Sequence, residues 1–238
     1  MAQNANLIVS VSGIRGIVGA GLSPESACAY SSALGTYLRG GKILLSRDGR
    51  PSGAMVRHAV LAGLLATGCA VEDLGVTPTP TVGFAIKKLK AKGAIQITAS
   101  HNPAPWNGLK LFGEDGRVLS AGRGRELQAL FTSANFHQVA WDQLGYVQDR
   151  AQALSWHRDR VLELVDVVRI RSRQMKVLVD ANGGAGGPLA RLLLQSLGCQ
   201  AVILGGNADG DFAHEPEPLA ENLQEVCPQV SAENAQLG

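Results

Sequence analysis

Aromatic side chains make up only 5% of this 238-residue chain, and its 22 Lys and Arg nearly balance its 20 Asp and Glu. A net charge of +2 gives no field that would gather nucleic acid or an acidic membrane surface, so neither is expected as a partner. The four cysteines, Cys28, Cys69, Cys199 and Cys227, form no C-x-x-C pair and none clusters with histidine. That excludes a zinc site of the usual spacing and leaves buried, reduced thiols as the expectation. The N-terminal run "MAQNANLIVSVSG" has neither the basic start nor the long apolar core of a signal peptide. The longest near-apolar run, "AVLAGLLATGCAV" at 59–71, is too short to span a bilayer. These absences predict a soluble, cytoplasmic protein.

What is present is apolar material and glycine. Hydrophobic residues reach 45%, charged residues 18%, and there are 29 glycines, a mix that favours a glycine-punctuated α/β protein over a β-sandwich. "GKILLS" (41–46) reads as a buried strand, and "RDGRPSG" after it as turn chemistry. Met55, Val56, Val60, Leu64 and Leu65 follow helical spacing over 54–68, with Gly68 as terminator. "AVEDLG" (70–75) predicts a strand, "VTPTPT" (76–81) a break, "VGFAIKKLKAKG" (82–93) a helix and "AIQIT" (94–98) a strand. Strands and helices alternating with short connections predict an α/β fold with parallel or mixed sheets sandwiched by helices.

A second unit begins near residue 175 and again reads strand, glycine-rich turn, helix, strand. Gly68-Cys69 corresponds to Gly198-Cys199, and Leu74-Gly75 to Leu204-Gly205, both at one offset. Asp48 and Asp180 are each expected just after the first strand of their unit. The expected organisation is a first domain over 1–150, a helical connector over 151–172 and a related, incomplete domain over 173–238. In the connector, Leu154, Val161, Leu164, Val165 and Val168 fit one helical face. "NGGAGG" (182–187) does not fit the G-x-G-x-x-G frame and reads as a tight strand-to-helix turn, not a dinucleotide site.

The run "ITASHNPAPWNGLK" (97–110) concentrates polar chemistry directly after a predicted strand. Ligands of open parallel sheets bind beyond the carboxyl ends of strands, and two prolines stiffen this segment. Ser100 and His101 are neighbours. Adjacent residues on an extended segment point apart, so they do not read as a nucleophile–base pair.

"TASHNPAPWNGLK" resembles the signature of the α-D-phosphohexomutases, the phosphoglucomutase/phosphomannomutase family. "SGIRGIVG" (12–19), "SRDGRPSG" (46–53, with Ser46 where the family has Gly), "GVTPTPTVGFA" (75–85) and "GDFAHEPEPLAENL" (210–223) resemble its other motifs, in order. The resemblance implies a four-domain architecture of which this chain has the first domain and part of the second. It implies a phosphoserine at Ser100, with Arg15 and Lys110 flanking the phosphoryl group and His101 positioning or moving a proton. The substrate class it implies is a hexose phosphate, with a sugar bisphosphate intermediate. It also implies Mg²⁺ bound by the phosphoserine and a D-G-D-x-D-R loop. Ser100 would be a metal ligand, but that loop is missing here, since Asp209-Gly210-Asp211 continues as Phe212, Ala213 and His214. Two rival expectations remain open: specificity for glucosamine phosphate against mannose or glucose phosphate, and an enzyme against a non-catalytic binding or assembly module. For this chain alone, inactivity is expected.

Overall fold

Seven strands of the first unit form one sheet in the order β1-β2-β6-β5-β3-β4-β7. The computed structural model describes residues 6–238. The strands are β1 (Ile8–Ser10), β2 (Gly13–Ile17), β3 (Gly41–Arg47), β4 (Cys69–Val76), β5 (Gly93–Ile97), β6 (Trp106–Gly113) and β7 (Tyr146–Asp149). The helices between them are α1 (Pro24–Tyr37), α2 (Gly53–Ala66), α3 (Thr79–Leu89) and α4 (Ala121–Ser133). Strands β5, β3, β4 and β7 run parallel, whereas β1, β2 and β6 add antiparallel pairings. The sheet is therefore mixed, within the parallel or mixed arrangement expected.

The centre of the sheet is buried on both faces, as its near-continuous apolar strands require. Ile43, Leu45, Ile95, Ile97, Leu109 and Leu111 share one core with Tyr30 and Leu34 of α1 and Val60 and Leu64 of α2. Leu44, Ala94 and Phe112 point the other way, onto Val82, Ala85 and Ile86 of α3. Alternation along each strand sorts the two sets. Helices α1 and α2 cross very closely. A Cβ on Gly63 would stand 2.3 Å from Ser31 Oγ and 2.4 Å from the Cys28 carbonyl oxygen.

The chain leaves the first sheet at Asp149 and passes through α5 (Ala153–Leu162) and α6 (Val167–Ser172). The second unit holds β8 (Lys176–Asp180), α7 (Gly186–Ser196), β9 (Gln200–Leu204) and α8 (Cys227–Ala232), with β8 and β9 parallel. The proposed echo between units has a geometric counterpart. Gly68 and Gly198 both have φ near +70° before a strand, and Gly75 and Gly205 are both left-handed where the strands end.

Several expectations are corrected. Helix α3 starts at Thr79, not Val82, because Pro80 in the first turn has no N–H to lose there; it ends at Leu89, where Lys90 turns left-handed. The connector is two helices, and Leu164 and Val168 are exposed instead of lining a buried face. Asp180 is the last residue of its strand, not the one after it. All four cysteines are free, yet only Cys69 is buried; Cys227 is exposed. The "NGGAGG" segment is the expected turn between β8 and α7.

Candidate active site

The 97–110 run is not one loop. Strand β5 ends at Ile97, an irregular turn spans 98–105, and β6 takes the chain back antiparallel from Trp106. Ser100 sits in that turn with φ of +59°, a left-handed conformation rare for a non-glycine residue. The bend also corrects the expectation that Ser100 and His101 point apart. Ser100 Oγ lies 3.5 Å from His101 Nδ1, at the outer limit of a hydrogen bond.

Lys110 lies within β6, and Arg15 within β2. Arg15 opposes Gly108 and Lys110 opposes Gly13, so both cations project from the same face of the sheet. Gly108 lets β2 approach, since a Cβ there would stand 2.4 Å from the Ile14 carbonyl oxygen. Arg15 Nη1 donates to Asn102 Oδ1 at 3.4 Å, which ties it to the Ser100 turn. Neither Arg15 nor Lys110 forms an ion pair with an acidic side chain among the described residues. Arg15, bonded to the serine turn, and Lys110, on the same face of the sheet, are thus left without a carboxylate partner among the described residues.

The turn is held from beneath by Arg50, a residue for which the motif reading gave no role. Its side chain is 1% exposed. Nη1 donates to the carbonyls of Pro103 (2.8 Å) and Trp106 (3.0 Å), and Nη2 to those of Ser100 (3.1 Å) and Asn102 (2.6 Å). Nε donates to Asp48 Oδ2 at 3.2 Å. Burial pushes the guanidinium below its ordinary pKa, while Asp48, through its charge and its hydrogen bond, works against that. Nothing in "RDGRPSG" announces a buried arginine. Only closure of the turn supplies its carbonyl partners.

A cleft of about 1030 Å³ opens beside the turn. Asp48, Thr98, Ser100 and His101 line it from the first unit, and Asp180, Asn182, Phe212 and His214 from the second. His214 Nε2 is 2.7 Å from Asp180 Oδ2, and its Nδ1 is 2.9 Å from the Glu215 carbonyl oxygen. Asn182 accepts from the His214 N–H and donates to its carbonyl. Sequence separation hid this cluster.

An α/β/α-layered unit with a polar serine turn at the carboxyl end of a central strand, joined to a second α/β unit, is the class that the fold defines. The family model described as "Phosphoglucomutase/phosphomannomutase, alpha/beta/alpha domain I" matches residues 6–138, and that of domain II matches 157–238. The chain belongs to the phosphoglucomutase/phosphomannomutase family. It is 35% identical over its full length to a "Probable phosphoglucosamine mutase" of Methanothermobacter thermautotrophicus, covering 52% of that protein. It is 38% identical over 95% of its length to a "Phosphoglucomutase/phosphomannomutase" of Thermococcus kodakarensis, covering 51% of it. A solved family structure from Burkholderia thailandensis superposes with a TM-score of 0.82 at 30% identity, over 96% of this chain and 52% of that one. The chain spans about half the length of the curated relatives it matches.

Proposed function

We propose that this chain serves a phosphohexomutase reaction, in which Ser100 carries a phosphoryl group and passes it to a hexose monophosphate to form a sugar bisphosphate. The observation that carries the reading is Ser100 in a turn gripped by the buried Arg50, lining a cleft, with Arg15, which has no carboxylate partner among the described residues, bonded to Asn102 of the same turn. A phosphoserine brings about −1.5 to −2 charge at neutral pH, and phosphoryl transfer is governed by positioning and charge stabilisation. In the forward step the P–Oγ bond of Ser100 breaks as a bond forms between phosphorus and a sugar hydroxyl oxygen. The hydroxyl proton leaves to a base, and Ser100 Oγ regains a proton. His101 is the proposed proton holder, from its position next to Oγ. Arg15 and Lys110 offset charge on the phosphoryl oxygens. Transfer of the other phosphate back to Ser100 gives the isomer.

Several relatives bear the name phosphoglucosamine mutase, one of them phosphoglucosamine/phosphogalactosamine mutase, which supports an amino-sugar phosphate as substrate. Mg²⁺ is proposed with Ser100 as one ligand. The donor set here does not complete a site for it, because no three of His, Cys, Asp or Glu gather in metal-holding geometry among the described residues. Asp48 is already engaged by Arg50 and Thr98. The 238-residue chain alone is therefore proposed to turn over hexose phosphate below detection. Among the described residues no helix is long and apolar enough to cross a membrane, and the cytoplasm is the proposed location.

The test is phosphorylation of Ser100. Incubation with a hexose 1,6-bisphosphate should add one phosphoryl group, mapped to the peptide carrying Ser100, and Ser100→Ala should abolish it. An equal yield in Ser100→Ala would remove the serine from this role.

A further inference from the structure

The strongest unassigned feature of the molecule is the guanidinium of Arg50. Its five N–H donors meet one carboxylate oxygen and four backbone carbonyls; three of these, of Ser100, Asn102 and Pro103, belong to the Ser100 turn, and the fourth is that of Trp106, the first residue of β6. A fork with five donors in fixed geometry is the one side chain able to make this set. Holding the Ser100 carbonyl inward has a consequence on the other side of the same peptide. In a planar trans peptide the C=O and N–H point in opposite directions. The His101 N–H is thereby turned away from Arg50, and the Ala104 N–H likewise, because Arg50 also holds the Pro103 carbonyl. Neither N–H has an acceptor among the described residues.

The second unit touches this arrangement directly. The Phe212 ring lies 5.0 Å from the Arg50 guanidinium carbon. Around that contact the two backbones are close enough to need glycine. A Cβ on Gly210, which has φ of +73°, would stand 2.8 Å from Arg50 Cα, and one on Gly49 would stand 2.6 Å from the Ala208 carbonyl carbon.

We propose that Arg50 is the positioning residue of the Ser100 turn: it fixes the left-handed backbone at Ser100, aims the His101 and Ala104 amides outward as donors to the phosphoryl oxygens, and is itself held in place by Phe212. Its chemical half rests on Ser100 as phosphoryl carrier; its structural half does not. Arg50 meets no substrate. It acts through the carbonyls it gathers, and the contact with Phe212 makes the turn responsive to the seating of the second unit.

The experiment compares the full 238-residue chain with Arg50→Lys, Arg50→Met and Phe212→Leu. Two readouts are taken: amide hydrogen exchange over 98–106, and the rate of Ser100 phosphorylation by glucose 1,6-bisphosphate, followed by intact mass at several concentrations. With Arg50→Lys, exchange at the Asn102 and Trp106 amides, which the turn itself protects, should speed up at least tenfold while exchange in β3 and β5 stays as it was. The maximal phosphorylation rate should fall at least tenfold, with the half-saturating bisphosphate concentration changed less than threefold. A purely structural arginine would instead loosen β3 and β5 together with the turn. Unchanged turn exchange and an unchanged maximal rate in both Arg50 variants would overturn the proposal. Should the Arg50 variants fold poorly, Phe212→Leu decides, since it removes only the stacked ring; several-fold faster exchange confined to the turn supports the proposal, and none refutes it. A wild-type chain that accepts no phosphoryl group would defeat the carrier reading, and the exchange comparison would still decide whether Arg50 holds the turn.

Discussion

Thr98 donates its hydroxyl proton to Asp48 Oδ2 at 2.6 Å and accepts the Ser100 N–H at 3.0 Å, so one side chain links the end of β3 to the serine. Thr98→Val keeps the shape and removes both bonds. It strands a donor and weakens the support of a carboxylate that also holds Arg50. Loss of a largely buried hydrogen-bonding group of this kind costs about 1–3 kcal/mol. Urea unfolding should show that loss in Thr98→Val and little of it in Thr98→Ser. Matching midpoints for wild type and Thr98→Val would mean that the link carries no stability.

Lys110 projects from the same sheet face as Arg15 without a side-chain hydrogen bond or ion pair among the described residues, so its removal breaks no polar contact. Lys110→Met should leave the melting temperature within about 2 °C, since a surface substitution changes stability by less than about 0.5 kcal/mol. The maximal rate of Ser100 phosphorylation should fall by more than tenfold, with a smaller change in apparent affinity. A rise in half-saturating bisphosphate at constant maximal rate would reduce Lys110 to a ground-state anchor.

His214 faces two acceptors, the Asp180 carboxylate and the Glu215 carbonyl, and only the imidazolium can donate to both. Burial alone would lower its pKa; the hydrogen bonds and the charge of Asp180 together carry it above the ordinary 6.5. A folded-state pKa above the unfolded one gives stabilisation that is complete below about pH 6.5 and is lost as pH rises through the higher folded value. Wild type should therefore lose stability relative to His214→Gln as pH rises above 6.5, measured by thermal melts in constant salt. Parallel pH profiles would show that His214 is neutral throughout.

Tyr30 of α1 is fully buried, its ring edge-on to Phe131, and its hydroxyl has no hydrogen-bond partner among the described residues. Burial also raises its pKa, so the phenol stays neutral. Tyr30→Phe removes a desolvated hydroxyl without opening a large void. It should stabilise the first unit by about 1 kcal/mol. A loss of that size on chemical denaturation would mean that a buried water satisfies the hydroxyl.

The sequence made some of this legible and hid the rest for physical reasons. Apolar runs such as "KILL" and the helical spacing from Met55 to Leu65 placed β3 and α2 closely, because burial and period coincide there. Helix α1 escaped notice: apart from Tyr30 and Leu34 its buried side is Ala, Ser and Gly, which carry little hydrophobic contrast. Strands β2 and β6 were hidden by glycine and polar residues that serve the site. Ser100, His101, Arg15 and Lys110 were singled out by motif resemblance; the fold sets Arg15 and Lys110 on one face of the sheet and joins Arg15 to the Ser100 turn through Asn102. Arg50, Asp180 and His214 could be found only once distant segments met, since a charged residue in isolation reads as a solvated surface group.

The antiparallel insertion of β6 between β2 and β5 sets an order of events during synthesis. Arg15 leaves the ribosome long before Trp106–Gly113, and until those residues emerge β2 has only the three-residue β1 beside it. The parallel strands β3, β4 and β5 can associate earlier, and Ser100 can bend into place on β5 while its cations are still elsewhere. A nascent chain thus carries Arg15 first and Ser100 later, with the two not yet held on one sheet. Insertion of β6 joins Arg15 and Lys110 in a single register, so this half of the phosphate-attracting site arises in one late step, when the first unit is nearly closed.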